Sequence, residues 1–443
     1  MPVPLPYDML FLIFLGEIRF MQKRILLSFR EQKYAVTNHL MPDLHVTLPE
    51  DVDPEALEKA VHSALALHPV FCYRIVRESD GLFYYLRNEV LPVVTEAVPG
   101  HTIYYGTEEF GFYPWQIMYS GKNILLSGTH AISDGTGYLS FLKSILHLYF
   151  VNLGHEFSPA AASDLKPAAD PGFCPVSAAS VLPCDPPGIP SFPPATPADD
   201  SYFETDLSKL KPQRLILRKN DIRNYATAQD VSTFSIISCY AARAVQQALR
   251  LGSGIIKVRV AANLRSWFPY ETDRNFSMGF PLNYDIERLD RKPSPLIATA
   301  FRSQLDLLTD RDNLIRKLHN EKLDMERLRK DPGNLDGLRD AFRAGRQKAS
   351  ANIYYTHFTR PGFSAELEDL IEGFEGFVTP RPEKSLVIVA STFKQEITLN
   401  VYETLKGNAL SRALENVIRA DGTFLRCEPA PVFPRAEHIT DQF

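Results

Sequence analysis

The stretch that most constrains the fold of this chain is the octet at 130–137, His-Ala-Ile-Ser-Asp-Gly-Thr-Gly. The apolar run at 124–128 that precedes it has the composition of a buried strand. After it, apolar and aromatic side chains recur at helical spacing over 138–149. The octet is therefore predicted to form a strand–turn–helix junction, with His130 at the end of the strand.

His130 and Asp134 give this junction its chemistry. Their spacing alone is weak evidence, because it recurs at His39 and Asp43, where a proline intervenes and no glycine follows. An imidazole can accept a proton from a hydroxyl or amine as that group attacks a carbonyl. We predict a structural role for Asp134, through an ion pair or backbone hydrogen bonds. The alternative is that His130 is an ordinary loop histidine and Asp134 the N-cap of the helix.

The octet is also part of a wider resemblance to a known family. His130-Ala-Ile-Ser-Asp134-Gly135 resembles the HxxxDG signature of the chloramphenicol-acetyltransferase-like superfamily, which includes alcohol acetyltransferases, polyketide-associated acyltransferases and condensation domains. Residues 52–61 and 67–74 are similar to that family's first helix and to the segment before its second strand, and 264–276 to a stretch of its second half. Together these matches cover most of residues 35–405. The DFGWG motif of the plant enzymes is missing, so that branch is disfavoured.

The resemblance implies a fold and a set of roles. The expected class is α/β (α+β), with two chloramphenicol-acetyltransferase-like halves and a channel between them that donor and acceptor enter from opposite faces. His130 is then the general base and Asp134 the second residue of the catalytic motif. Gly135 and Gly137 are expected to supply the backbone freedom of the turn. Arg265 is expected to form an ion pair with Asp134.

Two further positions remain open. Ser350 and Asn352 resemble a small polar patch that lines the channel in several members, with the end of a strand as the alternative. Stabilisation of an oxyanion needs a hydrogen-bond donor near the carbonyl oxygen. Ser350, Thr136 and backbone N–H groups are all candidates for it.

Length and proline content predict the domain organisation. A chain of 443 residues exceeds what one hydrophobic core normally supports. Eleven prolines fall within 159–197, a density that cannot propagate a helix or a sheet ladder and that predicts a semi-extended linker. We therefore expect an N-terminal half at 1–158, a crossover linker at 159–198 and a C-terminal half at 199–443. The charged region at 310–348 is predicted to form solvated helices.

Composition excludes several classes of function. A net charge of −5 gives no electrostatic footprint for nucleic acid. Five cysteines without CxxC spacing argue against a disulfide framework or a zinc site, and favour a cytoplasmic setting. The apolar run at 9–15 is too short to span a bilayer, so we expect it to pack on the domain and predict no stable membrane insertion. Weak membrane association is the alternative.

The predicted function is acyl transfer to the hydroxyl or amine of a small-molecule acceptor. It needs no metal and no permanently bound cofactor, because the acyl group arrives on a thioester, either acyl-CoA or an acyl-carrier protein. A carrier protein is therefore one candidate partner. Two alternatives remain: a repurposed enzyme that performs cyclisation or dehydration with His130 as acid or base, and a non-catalytic scaffold.

Overall fold

Four β-sheets organise the part of the chain that the structure, a computed structural model, describes: residues 24–98, 102–184, 192–359, 361–378, 384–431 and 435–438. The apolar run at 9–15 lies outside the described residues. The strands are β1 (Ile25–Leu26), β2 (Asp43–Thr47), β3 (Tyr73–Arg77), β4 (Phe83–Arg87), β5 (Thr95–Glu96), β6 (Thr102–Tyr105), β7 (Trp115–Ser120), β8 (Asn123–Gly128), β9 (Gln213–Arg218), β10 (Ile255–Asn263), β11 (Ser277–Asp285), β12 (Asn352–Phe358), β13 (Gly373–Phe377), β14 (Leu386–Phe393), β15 (Glu396–Glu403), β16 (Phe424–Pro429) and β17 (Arg435–His438).

Helices cover the sheets. They are α1 (Phe29–Val36), α2 (Pro54–Ala64), α3 (Gly135–Asn152), α4 (Pro175–Ala179), α5 (Lys219–Ala228), α6 (Thr233–Ala248), α7 (Ile286–Leu289), α8 (Ser294–Leu308), α9 (Arg311–Lys330), α10 (Asn334–Gln347), α11 (Ala365–Asp369) and α12 (Ala409–Ala420). Among the described residues, no helix combines the length and the apolar character needed to cross a bilayer. The predicted α/β class is confirmed.

Each half is built around one large sheet. The N-terminal sheet has the order β13-β2-β8-β7-β5, and the C-terminal sheet has the order β11-β10-β12-β14-β15-β9-β16. Helices α2 and α3 pack together in the first half, and α6 packs with α8 and α12 in the second. In β10, Ile256, Val258 and Val260 are buried in the core while Arg259 and Ala261 are exposed, which is the period-2 alternation of a strand with one covered face. The prediction of a strand at 124–128, a turn, and a helix that includes 138–149 is confirmed.

The two hydrophobic cores do not follow chain order. Strand β13, from late in the sequence, pairs with β2 in the N-terminal sheet. Met325, Leu328 and Leu335 are likewise buried in the N-terminal core, whereas Leu314 and Leu318 are buried in the C-terminal core. The prediction of solvated helices at 310–348 was therefore incomplete, because the few apolar positions of α9 and α10 are buried against both halves.

The proline-rich segment is more structured than predicted. Pro159–Leu165 forms a 3-10 helix and α4 follows at Pro175–Ala179, each opened by its proline. A proline is tolerated in the first turn of a helix because the N–H that it lacks has no intrahelical partner there. Residues 185–191 of the segment lie outside the described residues.

Candidate active site

The main chain of His130 is fixed where β8 ends. Its N–H donates to the carbonyl of His39, from the segment just before β2, at 2.8 Å. A Cβ on Gly128 would lie 1.9 Å from the Tyr138 hydroxyl, so only glycine allows α3 to fold back this closely on the strand. The imidazole thus projects from a rigid junction near the contact between the halves.

The half-buried ring of His130 lies in a cluster of three rings. Its centroid is 5.2 Å from that of Tyr34 in α1 and 5.3 Å from that of His39, and these two stack at 5.0 Å. Burial is the main cause that lowers the pKa of His130 to about 4; Asp134 and the Ser133 backbone oppose this shift. The imidazole is therefore neutral near pH 7, the state that a general base requires.

The Asp134 carboxylate is directed away from this ring. One oxygen accepts from the N–H groups of Thr136 and Gly137 at 3.0 and 3.1 Å, and so caps α3. The other accepts from Arg265 Nη1 at 2.8 Å and from Phe276 N at 2.6 Å. Burial alone would raise the pKa of Asp134, but Arg265 and these hydrogen bonds outweigh burial and lower it. Asp134 is therefore both the N-cap of α3 and the ion-pair partner of Arg265.

Arg265 lies in a 3-10 turn directly after β10 and is held on several sides. Its Nε and Nη2 donate to the Thr272 carbonyl at 3.0 and 2.8 Å, and Nη2 also donates to the Arg274 carbonyl at 2.9 Å. Its Nη1 additionally donates to Asn263 Oδ1 at 3.1 Å. The guanidinium therefore joins Asp134 of the first half to a loop of the second.

Asn275 is a site residue that the sequence reasoning did not single out. Its Nδ2 donates to the His130 carbonyl at 2.8 Å and lies 3.3 Å from the His130 ring nitrogen Nδ1. Asn275 is buried, with 1% of its surface exposed. The residue lies within the stretch 264–276 that carries part of the family resemblance, but nothing in its type or spacing distinguishes it from the neighbouring polar residues.

Two further ion pairs join α1 to the second half beside the site. Arg274 and Glu31 are each 1% exposed, and the guanidinium donates to both carboxylate oxygens. Arg30 pairs with Glu321 of α9 at 2.6 Å. Breaking one partner of a buried pair leaves an uncompensated charge, so these contacts fix how α1 sits against the C-terminal half.

The glycines of the motif serve close packing, which corrects the predicted reason for them. Neither Gly135 nor Gly137 has a positive φ. A Cβ on Gly137 would instead lie 2.1 Å from Ser133 Oγ and 2.4 Å from the Asp273 carbonyl, and one on Gly135 would lie 3.0 Å from the Phe358 ring. The glycines let the C-terminal half approach the start of α3.

Ser350 and Asn352 lie at the far end of β12 from the motif. Phe358 at the other end of this strand contacts Gly135, so Asn352 lies about 20 Å from that contact at ~3.3 Å per residue. Asn352 donates to Ser350 Oγ at 2.7 Å and accepts from Arg259 at 3.3 Å. The identity of the oxyanion donor stays a prediction, with Ser350, Thr136 and backbone N–H groups as the candidates. The channel-lining role of this pair stays a prediction.

Comparison with solved structures defines the class of fold. The chain has the two-half fold of the chloramphenicol-acetyltransferase-like and condensation-type acyltransferases, as predicted. No protein-family model and no curated protein matches the sequence.

Three solved structures illustrate the similarity. TRI101 from F. sporotrichioides, complexed with coenzyme A and T-2, superposes with a TM-score of 0.57 at 13% identity, covering 91% of this chain and 99% of that one. Polyketide synthase associated protein 5 from Mycobacterium tuberculosis gives 0.58 at 13% identity, covering 90% and 99%. TRI3 trichothecene 15-O-acetyltransferase from Fusarium sporotrichioides gives 0.58 at 10% identity, covering 90% and 94%. At such identities the similarity defines the fold.

Proposed function

We propose that this protein is an acyltransferase that moves an acyl group from a thioester to the hydroxyl or amine of a small molecule, with His130 as the general base. The observation that carries the proposal is the charge, burial and position of the His130 imidazole. The imidazole is neutral, half-buried and held at the contact between the halves, while the neighbouring carboxylate is committed to Arg265. His130 is therefore available as a base, whereas Asp134 has a structural role.

His130 alone can perform both proton transfers that the reaction needs. The acceptor oxygen or nitrogen attacks the thioester carbonyl while the imidazole takes its proton. Collapse of the tetrahedral intermediate then breaks the carbon–sulfur bond, and the imidazolium returns the proton to the departing thiolate. In the neutral imidazole one ring nitrogen carries a hydrogen and the other carries the lone pair that takes this proton.

The donor we propose is acyl-CoA, with an acyl-carrier thioester as the second source of the same chemistry. Support for coenzyme A comes from TRI101, whose structures contain coenzyme A or ethyl coenzyme A. Support for a small-molecule acceptor comes from the same protein, which is also crystallised with T-2 mycotoxin or deoxynivalenol.

A thiol-release assay tests the proposal. Purified protein is incubated with a panel of acyl-CoA donors and a mixture of alcohols and amines, and free thiol is measured together with the mass of the acylated product. A second arm supplies the same acyl groups on phosphopantetheinylated carrier proteins. We expect acceptor-dependent thiol release in at least one arm, and its loss in His130→Ala. Release without acylated product, or equal release by the variant, would contradict the proposal.

A further inference from the structure

We infer that His68 is a positioning residue for His130: it holds Asp273, and through the segment 272–276 it holds Asn275 against the imidazole. The inference rests on the proposed function only in calling His130 the base. The contacts themselves are independent of any substrate.

His68 is fully buried at the end of the turn after α2, with contacts to both halves. Its Nδ1 lies 2.6 Å from Asp273 Oδ2, in the loop before β11, and its Nε2 lies 2.8 Å from Ser144 Oγ on α3. The Ser144 hydroxyl donates its only proton to the Asp164 carbonyl at 2.9 Å. Ser144 therefore accepts from Nε2–H, and a single proton lies between Nδ1 and the Asp273 carboxyl.

This serine, histidine and aspartate resemble a hydrolytic triad in their contacts, but the direction of the hydrogen bonds excludes that role. A nucleophilic serine would direct its proton to the imidazole, whereas Ser144 directs it to a carbonyl. Ser144 and His68 are each 0% exposed, which closes them to a substrate. Any effect of this network on the candidate site must therefore pass through Asp273 and the residues next to it in the chain.

Asp273 belongs to the segment 272–276, in which every residue contacts either the motif or Arg265. The carbonyls of Thr272 and Arg274 accept from Arg265, and the carbonyl of Asp273 accepts from Ser133 Oγ. The N–H of Phe276 donates to Asp134, and Asn275 donates to the His130 carbonyl. His68 thereby anchors the middle of this segment from the core of the N-terminal half.

Loss of the contact with His68 Nδ1 would leave the Asp273 carboxyl group buried without this partner. Such a group costs far more than the missing hydrogen bond, so we expect the segment to shift until water reaches it. Asn275 moves with the segment, and water then reaches His130 as well. Burial is the main cause of the lowered pKa of His130, so hydration raises it. Of the other groups that face the ring, Arg30, Tyr34 and His39 lie outside the segment, and Asp134 keeps its hydrogen bonds to Thr136 and Gly137.

Two substitutions of His68 separate positioning from general stability. His68→Asn retains a donor at the position of Nδ1, toward Asp273, whereas His68→Gln retains one at the position of Nε2, toward Ser144. Ser144→Ala is the matched control, because it removes the Nε2 contact and leaves the Asp273 contact intact. The pKa of His130 is measured in each by NMR of ¹³C-labelled histidine, with His130→Asn to assign the signal.

We expect the His130 pKa to rise by about one unit or more in His68→Gln and to stay at the wild-type value in His68→Asn and Ser144→Ala. If the protein transfers acyl groups, kcat in His68→Gln should fall about ten- to a hundredfold with KM for the donor nearly unchanged. An unchanged His130 pKa in a folded His68→Gln protein would overturn the inference, whether or not acyl transfer is found. If His68→Gln does not fold, Asp273→Asn against Asp273→Ala poses the same question, and an equal His130 pKa in those two variants would overturn it.

Discussion

The imidazole of His130 and the carboxylate of Asp134 lie four residues apart and have opposite environments. Burial keeps the ring neutral, while Arg265 and two sets of backbone N–H groups keep the carboxylate charged. One residue is therefore free to exchange a proton, and the other holds the loop that carries it.

The charge state of His130 predicts how activity depends on pH. Because its pKa is lowered to about 4, the neutral base persists well below the pH at which an ordinary histidine is protonated. We expect kcat/KM, which reports the free enzyme, to stay level from neutrality down to about pH 5 and to decline only as the pH nears 4. Initial rates over pH 4–8 in buffers of constant ionic strength measure this. An acid limb centred near 6.5 would contradict it.

The Asp134–Arg265 pair should show a large coupling energy. Asp134 is 1% exposed and Arg265 14%, so removing either partner leaves a largely buried charge. In a double-mutant cycle of Asp134→Asn and Arg265→Ala we expect a coupling of about 1–3 kcal/mol from urea unfolding at pH 7. The pKa of Asp134 is lowered on folding, so this stabilisation is present above the carboxyl's ordinary pKa and is lost as the pH falls through the lowered value.

The exposed pair Arg302–Asp306 on α8 is the matched control for this cycle. Both side chains are more than half exposed, so their coupling should be about 0.5 kcal/mol or less. Additive effects at Asp134 and Arg265, no larger than in the control, would refute the ion pair as a support of the motif.

Contacts between residues that are distant in the sequence could be predicted only within segments that match the family. Arg265 came from a matched segment, and the structure brings it to Asp134. His39 was set aside because its spacing to Asp43 lacks the glycine, yet its ring lies beside His130. Ser350 and Asn352 lie at the opposite end of β12 from Phe358, whose ring is close to Gly135 of the motif. Which strand end faces the site depends on sheet pairing, and a single sequence does not contain that information.

At the scale of the elements, the N-terminus of α3 is in close contact with the loop before β11. Gly137→Ala would place a methyl group within 2.4 Å of the Asp273 carbonyl, where neither backbone can yield easily. We expect a loss of about 1–3 kcal/mol in the free energy of unfolding, together with lower activity. Chemical denaturation with a parallel activity assay measures both effects.

Gly337→Ala in α10 is the control for this change. A Cβ there meets nothing within 4 Å, so alanine should be neutral or stabilise the protein by about 0.5–1 kcal/mol through helix propensity. Equal stability of Gly137→Ala and Gly337→Ala would mean that the Asp273 carbonyl does not limit the space at the start of α3.

Elements with a strong local pattern were predicted well. The strand before His130 and the helix after Asp134 follow from an apolar run and from helical periodicity. The packing of α9 and α10 was not foreseen, because their few apolar residues are divided between two cores. A hydrophobic pattern shows that a face is buried, but it does not identify the partner.

For the whole molecule, the exchange of elements between the halves predicts how it responds to cleavage. We expect limited proteolysis to cut first within 159–197, where eleven prolines lack a backbone N–H to donate. The fragments should remain together, because β13 pairs with β2 and Arg274 pairs with Glu31 across the cut. Native size-exclusion chromatography with mass spectrometry tests this. Separate elution of the fragments would mean that the halves are independent.

The central claim is that His130 performs the chemistry at the junction of the halves, and the turnover of His130→Ala tests it most directly. With the donor and acceptor identified in the thiol-release assay, we predict that kcat/KM falls by about 10²–10⁴-fold while the melting temperature stays within the range of the wild type. A folded variant that retains more than about a tenth of the wild-type rate would contradict the account, because loss of a general base typically costs at least a hundredfold.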